Sequence, residues 1–301
     1  MNAFISNFLG VIAITSIGMD GEEIDQVTFL EKPRIHVKKG DYVATAIKTL
    51  DRFTCDYDVV EETKITTAIG KIVICRINSY GNALIAGPAK TNDMIDLINK
   101  LNLYKVDKIL IDGAFSRQHF AKISQASVFV VGANYSFDIG KVVKSAQLTY
   151  KKYNLEETRI ENQKFSDYIS LIKNNDEVII LDYSTLIGNT HKFFKQSFED
   201  VKAIYLPKTL TGEFVKQLIK NRRKISFDII IDSATNIQLS DELLEQLFML
   251  NMEISVVNPI KIVTVCYNPY SPRGYEFLDC EFKEKLEKVL DIEVINVLKE
   301  V

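Results

Sequence analysis

The sequence predicts an α/β protein built from two mostly parallel-sheet halves, and two observations support this fold class. Short apolar runs rich in Val and Ile recur from end to end, and each is followed by a turn and an amphipathic stretch, which is typical of βα units around a parallel sheet. With 47% hydrophobic and 26% charged residues over 301 positions, the composition is that of an ordinary globular chain. It excludes the collagen-like, disordered and disulfide-scaffold classes.

In chain order, the apolar runs predict the strands of both halves. They lie at 11–14, 108–111, 127–131, 178–181, 203–206, 229–231, 253–257 and 262–265. Amphipathic stretches between them predict helices at 92–103, 138–152, 211–222, 240–250 and 279–290. The helix near 240 opens with Ser240 ahead of Asp241 and Glu242, an N-cap and an acidic first turn that suit the helix dipole.

One segment breaks the alternation of strands and helices. Residues 58–66, 71–77 and 82–86 read as three strands separated by turn residues, so we predict an antiparallel insertion at about 58–86 on the edge of the first sheet. The polar stretch 154–163 lacks apolar periodicity and predicts a boundary between two halves. The predicted domains are residues 1–155, which carry the insertion, and residues 156–301, a second, Rossmann-like α/β domain.

The net charge and the cysteine spacing indicate which classes of partner the chain binds and which cellular compartment it occupies. The formal net charge is −3, so the chain as a whole does not attract a nucleic-acid backbone or an anionic membrane. The 4 cysteines have no CxxC spacing, which favours reduced thiols over a zinc knuckle or a disulfide framework. No apolar run approaches the roughly 18 residues of a membrane span. These features predict a cytoplasmic protein.

Polar residues that follow the apolar runs are candidates for function, because ligands of open parallel sheets bind beyond the carboxyl ends of the strands. Asp112 and Gly113 directly follow the run 109–111, as in the Walker B arrangement in which a strand-end carboxylate holds Mg²⁺. The alternative is an ordinary aspartate capping a turn. Asp20 lies in a glycine-containing acidic segment, 16–23, which is either a loop facing phosphate and metal or a solvated turn.

Further candidates complete the predicted cleft. Asn134 leads into the helix at 138–152, where backbone N–H groups could meet an anion, although a simple helix cap by Asn134 or Ser136 is an equal alternative. Arg117 lies close behind Asp112 in the chain. We therefore predict that Asp20, Asp112, Arg117 and Asn134 converge on one nucleotide and Mg²⁺ cleft. No Ser/His/Asp triad can be argued from the sequence.

The second half carries fewer candidates. Asp182, Asp232 with Ser233, and Asn258 each follow a strand. The loop 267–274 combines tyrosines, prolines and an arginine, and Tyr270 and Arg273 are residue types favoured at protein interfaces. We predict that these two residues bind a partner protein, while the alternative is that the loop only closes the fold. The edge insertion at 58–86 is a second candidate for the contact surface.

Several stretches, in a single order over most of the chain, resemble one known family. They are 15–25 (TSIGMDGEEID), 32–35, 43–45, 67–70, 84–88, 110–120 (LIDGAFSRQHF), 131–133 and 268–277. The family that they resemble is the smaller subunit of the reactivase for lysine 5,6-aminomutase, an adenosylcobalamin-dependent enzyme of amino-acid fermentation.

The resemblance implies a fold, a ligand and partners. The first half would be P-loop NTPase-like, related to the dethiobiotin synthetase group, with a Gly-rich GKT loop just before the first helix. Since residues 1–5 resemble the body of that helix, the loop is expected upstream of Met1, and G-x-x-x-x-G-K-[ST] occurs nowhere in the 301 residues. Mg-nucleotide would then bind only if that loop exists.

The partners implied are an actin-like ATPase reactivase subunit and the cobalamin-dependent aminomutase, from which damaged cobalamin is exchanged. Autonomous catalysis by this chain is not expected. The alternative function is a free-standing P-loop ligase or small-molecule kinase, in which Asp112 and Asp20 would serve Mg²⁺.

Overall fold

The computed structural model confirms the α/β class and divides into two compact units. It describes residues 1–18, 34–113, 123–161, 165–222, 225, 227–250, 252–296 and 298–299. The first unit comprises Met1–Ile123 with Val297–Val301, and the second comprises Ser124–Asn296. The division falls between Ile123 and Ser124, earlier in the chain than the polar stretch 154–163.

The first unit is built on a mixed five-stranded sheet with the order β4-β5-β3-β1-β7. Its elements are α1 (Asn2–Asn7), β1 (Ile12–Ser16), β2 (Ile35–Val37), β3 (Tyr42–Ala46), β4 (Tyr57–Thr67), β5 (Gly70–Ile77), β6 (Gly81–Ala83), α2 (Thr91–Asn102) and β7 (Lys108–Asp112). Strand β1 lies parallel to both β3 and β7, whereas β4 and β5 are antiparallel. A 3-10 helix at Ile47–Arg52 follows β3.

The predicted antiparallel insertion is confirmed as the β4–β5 hairpin on the edge of this sheet. Gly70 opens β5 with φ +112°, a left-handed conformation that glycine adopts without steric cost and that lets the chain turn back. The third predicted run forms β6, but β6 pairs with β2 in a separate two-stranded ribbon.

The central strand β1 separates two cores, because its side chains alternate between the faces of the sheet. Ala13 packs with Met94, Leu97 and Leu101 of α2. Ile12 and Ile14 pack on the other face, together with Ile5 of α1. All five residues of β1 are buried, so the strand is covered on both faces of the sheet, as expected for a central parallel strand.

The second unit contains a parallel three-stranded sheet, β17-β14-β8, and a mixed five-stranded sheet, β10-β9-β11-β12-β13. Its strands are β8 (Ser127–Gly132), β9 (Ser170–Lys173), β10 (Val178–Ile180), β11 (Val201–Leu206), β12 (Asp228–Ser233), β13 (Ile254–Asn258), β14 (Ile262–Asn268), β15 (Tyr270–Ser271), β16 (Tyr275–Glu276) and β17 (Val294–Asn296). Its helices are α3 (Ile139–Tyr153), α4 (Thr190–Phe193), α5 (Gly212–Asn221), α6 (Asp241–Phe248) and α7 (Asp279–Glu287).

Each sheet of the second unit buries one face against helices. Val265 and Tyr267 of β14 pack on α3 and α7. Helices α5 and α6 cover β11 and β12, where Phe214 and Leu247 contact the strand residues Ile204 and Ile229 in one core. Strand β10 pairs antiparallel with β9 and is therefore half of a hairpin, whereas β11, β12 and β13 are parallel. No helix in the part of the chain that the structure describes is long and apolar enough to cross a membrane.

Candidate functional site

Asp112 and Gly113 lie at the carboxyl edge of the first sheet, as predicted. Asp112 is the last residue of β7, stands level with Ser16 of β1 and is exposed. Its backbone carbonyl accepts a hydrogen bond of 2.9 Å from the Ile17 N–H, so the ends of β1 and β7 remain in register beyond the strands. The Asp112 carboxylate therefore sits at the type of edge where ligands of parallel sheets bind.

The segment 84–88, which we call the cover segment, hydrogen-bonds to the carboxyl ends of β1 and β3. The Gly18 N–H donates to the Pro88 carbonyl at 2.7 Å, and the Gly87 N–H donates to Ser16 Oγ at 3.0 Å. On β3, Thr45 Oγ1 accepts from the Ala86 N–H at 2.9 Å. The cover segment thus uses backbone groups at this end of β1 that would otherwise be available to a ligand.

Gly87 is the closest point of this contact. A Cβ atom added at Gly87 would lie 1.8 Å from the Ser16 carbonyl oxygen, far inside van der Waals contact, so no larger residue fits without moving the backbone. Since the overlapping atom belongs to the backbone of the buried Ser16, the clash cannot be relieved by rotating a side chain. The cover segment therefore closes the edge between β1 and β3, while Asp112 remains exposed beside β1.

Sequence reasoning missed the cover segment as part of the site. The sequence predicts a strand over 82–86 and a family resemblance over 84–88 but no role in a site, because the contacts of this segment depend on hydrogen bonds to residues far away in the chain. The glycine and proline at 87–88 were the available signal, because such pairs mark close backbone approach or a turn.

The other predicted members of the cleft are distributed differently. Asp20 and Arg117 lie outside the described residues. Asn134 is exposed in a short 3-10 helix, Ala133–Tyr135, that follows β8. Because β8 pairs with β14 of the second unit, Asn134 belongs to a different hydrogen-bonded sheet from Asp112. The single cleft of Asp20, Asp112, Arg117 and Asn134 stays a prediction.

The helix after Asn134 is capped by neither of the residues considered from the sequence. Asp138 is the N-cap of α3, and its carboxylate accepts from the N–H groups of Gly140 at 2.8 Å and Lys141 at 3.3 Å. Ser136 Oγ accepts from the Asp138 N–H at 3.1 Å and so orients the cap residue. The amide of Asn134 is thus not used to start α3.

Tyr270 and Arg273 lie on a small hairpin, β15–β16, at the carboxyl end of β14. Gly274, with φ +84°, makes the turn, and its N–H donates to the Ser271 carbonyl. Tyr275 Oη donates to the Ala133 carbonyl at 2.5 Å, which places the hairpin beside the turn that carries Asn134. Asn134, which the sequence assigned to the first domain, therefore lies at the same sheet edge as the hairpin of Tyr270 and Arg273.

Large apolar side chains are exposed around this hairpin, and we call them the aromatic rim: Tyr135 (59% exposed), Phe137 (82%), Tyr270 (49%) and Leu278 (71%). Below them, the buried Tyr267 and Asn296 side chains both donate to the Asp279 carboxylate. Hydrogen bonds between the Tyr267, Asn296 and Asp279 side chains therefore fix the positions of the residues beneath the aromatic rim. Phe137 and Leu278 carry no sequence signal that separates them from core residues, because isolated apolar residues in loops are common.

The groups with the most perturbed pKa lie in the cores and not at these edges. Burial raises the pKa of the Cys75 thiol to about 12 and lowers the pKa of the Lys152 ammonium to about 8. Among the described residues, no group of three or more His, Cys, Asp or Glu side chains could hold a metal ion. The described residues at these two sheet edges therefore offer exposed polar and aromatic side chains for contact with a ligand or partner.

No known protein family, no curated protein and no solved structure matches the chain.

Proposed function

We propose that the chain is the small subunit of a reactivase for an adenosylcobalamin-dependent lysine 5,6-aminomutase and acts with an actin-like ATPase subunit. One observation supports this most strongly. Four of the stretches that resemble the family, 15–25, 43–45, 84–88 and 110–120, contribute residues to one hydrogen-bonded edge of the first sheet. Residues that matter for one function are expected to meet in space even when they are distant in the chain.

The exposed surface fits a role that depends on a partner protein. The aromatic rim presents tyrosines beside Arg273, and these residue types supply most of the binding energy at protein interfaces. Tyr135 and Tyr270 lie on neighbouring elements, and large apolar side chains exposed together on a folded chain commonly mark a site of interaction. The rim is therefore the surface on which the proposed assembly should depend.

The test is a binding and reactivation experiment with the full chain. The tagged chain is mixed with the actin-like ATPase subunit and with aminomutase that has been inactivated by turnover, and ATP and fresh adenosylcobalamin are added. We expect a complex in gel filtration and recovery of aminomutase activity that requires both subunits. If neither partner binds while the isolated chain turns over a small substrate, the free-standing P-loop enzyme replaces this proposal.

Matched variants test the role of the rim. We expect Tyr270→Ala and Arg273→Ala each to weaken the complex by about tenfold, equivalent to roughly 1.4 kcal/mol. Tyr168→Ala and Arg222→Ala are the controls, because these side chains are also exposed and lie in the same unit. Equal losses in test and control variants would show that the rim is not the contact surface, without bearing on whether the complex forms.

A further inference from the structure

Two buried hydroxyl groups at the carboxyl edge of the β11–β12–β13 sheet lack hydrogen-bond partners. Ser233 is the last residue of β12 and is fully buried, and Thr235, in the 3-10 helix that follows, is 6% exposed. Neither Ser233 Oγ nor Thr235 Oγ1 has a partner among the described residues. Because buried polar groups are nearly always paired in native proteins, two orphan hydroxyls in one turn need a physical explanation.

The position of Ser233 in its strand directs its side chain toward helix α5. Side chains alternate along β12, and Ile229 and Ile231, which lie on the same face as Ser233, pack into the core that α5 and α6 cover. Thr211 caps α5 at this edge, and its Oγ1 accepts from the Phe214 N–H. The Ser233 hydroxyl therefore lies on the face of the sheet where α5 begins.

Hydrogen bonds hold the segment before α5 against the turn after β12. The Leu210 N–H donates to the Asn236 carbonyl at 2.9 Å, and Asn236 Nδ2 donates to the Pro207 carbonyl at 3.2 Å. The orphan hydroxyls and the start of α5 are thus parts of one neighbourhood. Such neighbourhoods, at the carboxyl ends of parallel strands, are the usual ligand sites of open α/β sheets.

The unsatisfied groups here can all donate hydrogen bonds. The first-turn N–H groups of Gly212 and Glu213 have no acceptor among the described residues, and the Lys208 ammonium is exposed nearby in the chain. The Asp232 carboxylate lies on the opposite face and accepts from Asn258 Nδ2 at 3.0 Å. Hydrogen-bond donors at a helix N-terminus suit an acceptor of negative charge.

We propose that this edge binds a small oxyanion, a phosphate or carboxylate group, through Ser233, Thr235 and the N-terminus of α5. Since both hydroxyls are buried, the ion can reach them only after the hydrogen bonds that join Leu210 and Pro207 to Asn236 open. The exposed Glu213 carboxylate in the same helical turn repels an anion, so it weakens the binding of a bare ion.

The test uses the thermal unfolding of the full chain. Inorganic phosphate, or acetate as the carboxylate probe, is titrated against chloride at constant ionic strength. We expect at least one of the two oxyanions to raise the Tm of the wild-type chain, because a ligand of the folded state stabilises it. The double variant Ser233→Ala/Thr235→Val should lose most of that rise. Ser170→Ala is the control, since Ser170 is a buried serine of the same sheet whose hydroxyl does have a partner.

Two results would overturn the site. One is a wild-type Tm that responds to neither oxyanion; a more stable double variant would then show that the hydroxyls are only unsatisfied groups. The other is an equal response of the variant and the wild type, which would place the ion elsewhere. If the variant does not fold, amide chemical shifts of the wild type decide, because phosphate or acetate should move the signals of Gly212, Glu213 and Ser233.

Discussion

Lys152 is a buried lysine in α3 whose ammonium group lies 4.4 Å from the centre of the Tyr153 ring. Burial lowers its pKa to about 8, well below the 10.5 of an exposed lysine. The folded state therefore binds the proton less tightly than the unfolded chain. Between these two pKa values only the unfolded chain holds the proton, so stability rises with pH across that window.

We predict that Lys152→Met stabilises the protein near neutral pH by about 1–3 kcal/mol, because it removes the cost of burying the charge. The variant should also lose the rise in stability above pH 8. Urea unfolding at neutral and at alkaline pH measures both effects. Lys151→Met, at the neighbouring exposed position, is the control and should keep the pH dependence. A destabilised Lys152→Met variant would contradict the prediction.

Gly87 lies too close to the Ser16 backbone to carry a side chain. Gly87→Ala should destabilise the first unit by several kcal/mol, since its Cβ would overlap the Ser16 carbonyl oxygen. Gly140→Ala is the control, because the nearest atom to its added Cβ is a carboxylate oxygen of Asp138 at 3.2 Å and the position is helical. A drop in Tm confined to Gly87→Ala is expected. Equal Tm values for the two variants would show that the cover segment is not fixed as described.

At the scale of an element, the cap of α3 explains where this helix begins. Asp138→Ala should cost about 0.5–2 kcal/mol, because two N–H groups of the first turn lose their acceptor. Asp138→Asn keeps a side-chain oxygen and should cost less. Equilibrium unfolding in denaturant measures the difference. The cap assignment fails if alanine and asparagine are equally tolerated.

Most of the longer elements were predictable from the sequence, and the failures have two physical causes. Helix α2 was expected at 92–103 and lies at Thr91–Asn102, because its apolar residues recur at helical spacing over three turns. Strand β9 was missed, since four residues, Ser170–Lys173, are too few to show a period. The partner of β8 was not predictable either, because pairing with β14 depends on contacts across more than a hundred residues.

The long edge strand β4, which the sequence predicts, carries irregularities and charges that protect the open edge of the sheet. Its ladder with β5 is interrupted by two irregularities, and Asp58, Glu62 and Lys64 are exposed along it. Bulges and charges of this kind discourage the addition of a foreign strand to an open edge. Val59 and Val60 are also exposed on β4, between these charged residues. The insertion is therefore a weaker candidate for the partner surface than the aromatic rim.

At the scale of the molecule, the candidate site was predictable only in part. Asp112 was found because an aspartate directly follows an apolar strand, which is a local pattern. The contact of the cover segment with β1 was not predictable, since each of its hydrogen bonds uses a backbone N–H donor, which nearly every residue type has. Asn134 was predicted on the assumption that successive strands share one sheet, an assumption that the pairing of β8 with β14 does not meet.

We expect the 301-residue chain to bind nucleotides only weakly. P-loop proteins bind the β-phosphate with free backbone N–H groups and a lysine, and no G-x-x-x-x-G-K-[ST] segment occurs in this sequence. At the end of β1, moreover, the N–H groups of Ile17 and Gly18 already donate to the carbonyls of Asp112 and Pro88. We therefore expect Mg-ATP and Mg-GTP to bind more weakly than about 1 mM in isothermal titration calorimetry. Micromolar binding that Asp112→Asn abolishes and Asp96→Asn, on the exposed face of α2, leaves intact would favour the free-standing enzyme instead, because a Mg²⁺-bound nucleotide would then use the strand-end carboxylate.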